Sequence, residues 1–341
     1  MSAAQEPLGA LPLGLGRLRD PGDPAEVAAA FIAAAPLLTS VPLPGAGDTA
    51  GRFAVLAGVA TASPALARLV EGHLDALAIL AELGAPLRPD GVRLGVWAAE
   101  PGGCVVDARR RGRGWRLEGH KPYASGADQL THALITARRG DDRLLFLVPA
   151  DGWEVEPETW QAVGMAGSDS PTVTVSASVG SRALIGGVGG YLDRPGFWHG
   201  GVGVAAVWFG GALGVARALR QAGTAGALSA HGLAHLGGVE VALASAEAML
   251  DAAAAGIDAD PRNHRGGARL RAMTVRAHGE HAATETLERV GRALGAGPLC
   301  HDRGHARRVA DLTVYLRQSH AEGDLEALGR LTAGLRRQAA R

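Results

Sequence analysis

Cysteine is nearly missing from this chain of 341 residues: it occurs only at positions 104 and 300. Two cysteines build no disulfide framework, which excludes the small stapled secreted scaffolds and suits a reducing, cytoplasmic setting. Net charge is missing too. The 34 basic and 34 acidic residues cancel, with an isoelectric point near 7.2. The bulk charge therefore calls for neither nucleic acid nor an anionic membrane as partner. The opening MSAAQEPLGALPLGLGRLRD has no basic segment followed by a long apolar core, so no signal peptide is expected there. Long hydrophobic runs are scarce. GGVGVAAVWFGGALGVA, residues 200–216, carries no charge, but its 17 residues lie at the lower limit for a membrane span. It reads as a buried bundle helix whose small residues let another backbone, or a flat ring, come close. Strand–helix alternation is also absent. The glycine clusters GAGDTAG and GGVGG do not join a strand to a helix, which excludes a Rossmann reading.

Glycine is abundant instead, at 50 residues. That is about twice the average of ~7%, so a single glycine matching a motif means little. Residues 24–95 carry helical patterning. Asp23 is placed as an N-cap and Pro24 at the first helical position. A helix pair divides near Ser63–Pro64, and Gly84 is placed as a C-terminal stop. From about residue 94 the runs become short and β-branched. In TVTVSASV, Val173, Val175, Ala177 and Val179 face one way and Thr172, Thr174, Ser176 and Ser178 the other, as in a half-buried antiparallel strand. Long helices are expected at 197–222, 226–255, 264–295 and 303–320, with a shorter one from 325. The order is helices, sheet, helices. The predicted fold is α+β: an N-terminal helical domain (1–93), a middle antiparallel β-barrel or sandwich (94–190) and a C-terminal four-helix bundle (191–341).

Four stretches, taken in order, resemble the acyl-CoA dehydrogenase family of flavoproteins. WAAEPGG (97–103) is similar to its Thr-Glu-Pro-Gly stretch, and WRLEGHKPYASGADQLTHALITAR (115–138) to its Gly-x-Lys turn leading into the flavin-facing strand. GMAGSDSPTVTVSASV (164–179) is similar to its Gly-Met-Arg-Gly-Thr-Asp-Ser run, and LGAGPLCHDRGHARRVADL (294–312) to its Gly-Gly-x-Gly segment before an Arg-Asp pair. The resemblance covers about residues 25–335. It implies FAD bound between domains and across a subunit interface, hence a homodimer or homotetramer. It further implies α,β-dehydrogenation of an acyl thioester, with an electron-transfer flavoprotein or oxygen as acceptor. Carried over residue by residue, it places Tyr123 and Ser125 beside the flavin ring, where an aromatic can stack and a hydroxyl can hydrogen-bond a ring nitrogen. Ala99 and Glu100 fall in the Thr-Glu-Pro stretch, and Gly295 and Gly297 in the Gly-Gly-x-Gly segment. The chain departs from the pattern at Ala99 and Ala166. It also departs around SAHGLAHLGG (229–238), where the family's Arg and Gln are missing and His231 and His235 stand instead.

The catalytic candidates lie near the end. Helical spacing runs through Val309, Leu312 and Leu316 and again through Leu325, Leu328 and Leu331, but the phase breaks at Glu322–Asp324. Gly323 suits the end of one helix and Asp324 the N-cap of the next, so Glu322 would project from an elbow. The family's catalytic Glu sits in such a Glu-Gly-Thr elbow, which implies Glu322 as the base taking the α-proton. His320 is the rival: related flavin monooxygenases use a His in this neighbourhood, and imidazole suits proton transfer at neutral pH. Three hypotheses follow: an acyl-CoA dehydrogenase using Glu322, a two-component monooxygenase using His320, and a non-catalytic scaffold of the same fold. Cys300, His301 and His305 read as a chance cluster, and no metal is expected.

Overall fold

The computed structural model describes residues 23–85 and 91–339; the expectation for the first twenty residues lies outside them. Three helices come first, α1 (Pro24–Ala34), α2 (Thr49–Ala62) and α3 (Pro64–Glu82). Seven strands follow: β1 (Leu94–Trp97), β2 (Val106–Arg111), β3 (Gly114–Lys121), β4 (His132–Arg139), β5 (Asp142–Pro149), β6 (Trp153–Glu156) and β7 (Thr172–Val179). The rest is helical: α4 (Pro195–Thr224), α5 (Ala230–Ala259), α6 (Ala268–Leu294), the short α7 (Gly297–His301), α8 (Arg303–Tyr315) and α9 (Glu322–Ala339). The chain is thus α+β. Its contacts divide it into two compact units, residues 42–67 with 198–339 and residues 23–41 with 68–197, so that the bounds fall inside α3 and near the start of α4.

The second unit holds the sheet. The strands run in the order β1-β4-β2-β3-β7-β6, with β5 on the other edge of β4. The expectation of an antiparallel sheet needs correction, because the sheet is mixed. β1 runs parallel to β4 over Leu94–Trp97, and β2 meets β4 in parallel at Asp107↔Arg138. Side-chain alternation reports which face of a strand is buried but not the direction of its neighbour. On β7 the alternation is as read: Val173, Val175 and Ala177 are buried. Helix α1 starts where Asp23 accepts from the Glu26 N–H at 3.0 Å, and Gly84 takes φ +65° just beyond α3.

Helix α3 is tied to β1 by His73, whose buried Nδ1 accepts the Leu94 N–H at 3.1 Å while its ring edge meets Phe31. Burial pulls the His73 pKa down from 6.5 to about 4. The unfolded chain therefore binds the extra proton first, and the stability due to His73 is full above pH 6.5. Between pH 6.5 and about 4 the fold should lose roughly 3 kcal/mol. Urea melts at both ends of that window check this: His73→Asn, which can still accept from Leu94, should flatten the slope. An unchanged slope would place its origin in other groups.

In the first unit α4 is the central helix. Its most apolar stretch is 83% buried, as expected for residues 200–216. By length and composition both α4 and α5 could cross a membrane, and the corresponding stretch of α5 is only 28% buried. The small residues of α4 admit another backbone: a Cβ on Gly210 would lie 2.2 Å from the Ala57 carbonyl oxygen, and one on Gly214 2.5 Å from that of Thr61. Positions 57 and 61 are one turn apart on α2, as 210 and 214 are on α4, so the two helix backbones touch along a small-residue seam.

Candidate functional site

Strand β3 ends at Lys121, and the chain then turns through Pro122 to Gly126. Tyr123 sits there with φ +58°, a conformation that costs a bulky residue about 1–3 kcal/mol. Met165 (φ +63°) and Asp169 (φ +42°) belong to the segment packed against this turn. The two segments are stitched by backbone bonds: Ala124 N–H to Pro171 O at 2.9 Å and Gly126 N–H to Asp169 O at 2.7 Å. The Asp169 carboxylate also accepts the Asp128 N–H, at 3.2 Å. Burial, together with the charge of Asp128, raises the Asp169 pKa. Strained non-glycine backbone gathered in one corner, held by this many bonds, is the signature of a site that the rest of the fold supports.

Two indoles brace the corner from below. Trp97 donates to Ser125 O at 3.1 Å, Trp153 donates to Ala127 O at 3.3 Å, and the two rings meet edge to face at 4.7 Å. The Ser125 hydroxyl accepts from Arg68 Nε at 3.1 Å and from the Ser170 hydroxyl at 2.9 Å. Ser168, buried behind, donates to Met165 O at 2.9 Å. When the Ser170 hydrogen is directed to Ser125 rather than to the Ser168 hydroxyl 2.8 Å away, both acceptor positions of Ser125 are filled from the protein and its own hydrogen is left to give. Tyr123 stays 58% exposed, so a flat aromatic face lies two residues from a hydroxyl donor. Sequence reasoning named Tyr123 and Ser125 as candidates but not Arg68, Trp97, Trp153, Ser168, Asp169 and Ser170, which the fold brings to the same corner. The GSDS of residues 167–170 was the available signal for the last three.

Ala99 and Glu100 serve a different arrangement. Lys121, the only lysine in the sequence, is fully buried. It reaches the Ala99 carbonyl at 3.3 Å, the Thr136 hydroxyl at 2.8 Å and Glu100 Oε1 at 3.4 Å. Glu100 Oε2 takes Arg138 at 2.8 Å and Arg143 at 2.5 Å. Burial alone would raise the Glu100 pKa, but hydrogen bonds from Arg143 and Arg138 and the charge of Lys121 outweigh it and hold it at about 2. Burial draws Lys121 down to about 8 against the pull of Glu100. Both oxygens of Glu100 are thus committed to cations and Thr136.

The remaining candidates lie in the helical unit. Gly295 (φ +63°) ends α6 and Gly297 opens α7. Gly297, Pro298, His301 and Asp302 line an open groove of about 370 Å³ with Gln221 of α4. The elbow at the end of α8 differs from expectation. Ala321, not Gly323, carries the left-handed backbone (φ +45°), and α9 already begins at Glu322. Asp324 does not stand before the helix: from inside its first turn it reaches back to accept the His320 N–H at 3.2 Å, and the Ala321 N–H goes to the Ser319 hydroxyl. Asp324 also faces His320 Nδ1 at 3.3 Å. The side chains of Glu322 and His320 are exposed. The phase break was legible; which residue absorbs it was not, because alanine in a left-handed turn has no sequence signature.

No family model matches this chain, and no curated protein does. Solved structures do, over nearly its whole length. TdsC from Paenibacillus sp. A11-2, in a complex with FMN and indole, is 18% identical with a TM-score of 0.74, covering 90% of this chain and 95% of that one. XiaF from Streptomyces sp., in complex with FADH2 and glycerol, is 19% identical (TM-score 0.75; 96% and 92%). The HsaA monooxygenase from M. tuberculosis is 18% identical (TM-score 0.77; 98% of each chain). At such identities the likeness establishes the fold, which is acyl-CoA dehydrogenase-like as the sequence resemblance implied. It also overturns the expected reaction. TdsC is a dibenzothiophene monooxygenase and HsaA a monooxygenase, so α,β-dehydrogenation falls, and with it the acyl thioester and the electron-transfer flavoprotein. The motifs behind that expectation build turns and strand ends of the scaffold, and a scaffold does not determine the reaction it hosts.

Proposed function

We propose that this chain is the oxygenase component of a two-component flavin-dependent monooxygenase, taking reduced flavin from a separate reductase and oxygenating an organic substrate with O2. The observation that carries this reading is the corner at Tyr123–Gly126. There an exposed aromatic face and a hydroxyl with a hydrogen to give are held rigid by Trp97, Trp153 and Arg68. That pair fits a flat heterocycle with acceptor nitrogens on its rim, and Tyr123 and Ser125 would hold it. The fold it shares with proteins solved with FMN or FADH2 supports the same reading. A bound reduced flavin would supply two electrons to dioxygen, one oxygen atom entering the substrate and the other leaving as water.

The protein's own part is to position, to donate and to move protons. Arg68 and Ser170 fix the Ser125 oxygen so that its hydrogen points away from them. His320, in the first unit, turns Nδ1 to Asp324 and leaves Nε2 to solvent; it is the proton-transfer group of this reading. Glu322 has no role in this reading.

The deciding experiment is anaerobic dialysis of the purified chain against dithionite-reduced FMN and, separately, reduced FAD. Retention near one equivalent of either is expected; a chain that retains neither, reduced or oxidised, returns the protein to a flavin-free scaffold. Ser125→Ala should weaken retention about tenfold, the loss of one hydrogen bond. Undiminished retention would remove Ser125 from the site.

A further inference from the structure

Five of the eight residues 109–116, RRRGRGWR, are arginine, and the fold gathers them on one hairpin. β2 and β3 are joined by a two-residue turn at Gly112 (φ +58°) and Arg113. The register sets Arg109 directly opposite Arg116, a like-charge cross-strand pair that opposes sheet formation. Arg110 lies opposite Trp115 and over its ring, 4.1 Å from the centroid, while Arg139 of β4 approaches the same ring at 5.9 Å. Two guanidinium groups are thus concentrated around one indole, which also packs on Phe146 and is 1% exposed.

The neighbouring carboxylates do not balance this. Glu118 pairs with Arg116 at 3.0 Å and Asp142 with Arg139 at 2.6 Å; Asp107 stands 3.8 Å from Arg109, both largely exposed. Arg110, Arg111 and Arg113 have no carboxylate partner among the described residues. A chain with as many acids as bases has left one tip unneutralised, and one of its three unpaired arginines, Arg110, is stiffened by stacking on Trp115. Arginines fixed in this way lose little entropy on meeting an oxyanion bidentately.

We propose that the β2–β3 hairpin tip is a docking surface for a partner protein that presents clustered carboxylates. The patch is a compact tip rather than a long basic stripe, and its aromatic is buried. Bases would find no exposed ring to stack on, and a nucleic-acid backbone no track to follow. The tip and the Tyr123 corner lie at opposite ends of β3, roughly 23 Å apart at about 3.3 Å per residue, so a partner on the tip leaves the corner open. This surface is independent of the flavin reading, and its test needs no flavin.

The probe is a fluorescein-labelled oligoglutamate peptide, titrated with the full chain and followed by anisotropy. Salt-sensitive binding is expected. Arg111→Glu with Arg113→Glu should weaken it about tenfold while leaving the thermal midpoint unchanged. If charge reversal disturbs folding, Arg111→Gln with Arg113→Gln reads the same loss. Four results would overturn the proposal: no binding, binding unchanged in these variants, an equal loss from Arg336→Glu with Arg337→Glu on α9, or tighter binding of a single-stranded oligodeoxynucleotide of matched charge.

Discussion

Replacing Glu100 by glutamine should cost about 3–5 kcal/mol, a large share of the stability of an ordinary domain. The substitution keeps the shape and removes the charge that Lys121, Arg138 and Arg143 share. Lys121 is fully buried and cannot turn to water, so it would be left with two cationic neighbours and no counter-ion. Lys121→Met should be far milder, because Glu100 keeps both arginines and the methionine fills the buried space. Denaturant melts of the two variants give the comparison; equal losses would mean that packing, not charge, holds this cluster. Acid makes the same substitution reversibly. The Glu100 pKa is held at about 2, below its ordinary 4.5, so its contribution is complete above pH 4.5 and disappears as the pH falls towards 2. That window overlaps the one assigned to His73 only between about pH 4 and 4.5, so most of each group's effect separates along a single acid titration.

Gly210→Ala should lower the melting temperature although alanine is the better helix former. In an open helix the exchange gains about 1 kcal/mol. On α4, however, the new methyl would meet the Ala57 carbonyl oxygen at 2.2 Å and the Ala57 Cα at 2.6 Å. Both are backbone atoms of α2 and cannot rotate away, so the helices must part, at about 3 kcal/mol for a strained core. The net loss is about 2 kcal/mol, and Gly210→Leu should not fold. Gly237→Ala on α5 is the control: its added methyl meets nothing within 4 Å, and it should raise the melting temperature. Two stabilised variants would show that α2 and α4 do not cross as closely as the seam requires.

The sequence by itself determined the parts whose causes are local. Asp23 and Pro24 start α1 and Gly84 stops α3 because caps act on the residue's own turn. Residues 200–216 are buried because a charge-free run seeks the core, and β7 shows its apolar face because a strand repeats every second residue. Tyr123 and Ser125 could be named together as candidates because they stand two apart in one short segment.

What the tertiary structure decided depends on residues far apart in the chain. No pattern in WAAEPGG tells that Glu100 will face Lys121, Arg138 and Arg143; residue type allowed a cofactor contact equally well, and only the placement of β3, β4 and β5 made it an ion cluster. Arg68, Trp97, Trp153 and Ser170 come from four separate segments and become one support only where the chain folds them under Ser125. The parallel pairing of β1 with β4 joins residues 38 apart, and a strand's own side chains are indifferent to the direction of its neighbour. Caps, periods and burial are written within a few residues. Strand partners, ion pairs and the floor of a site are settled by long-range contacts, whose energies exist only once the fold has brought them together.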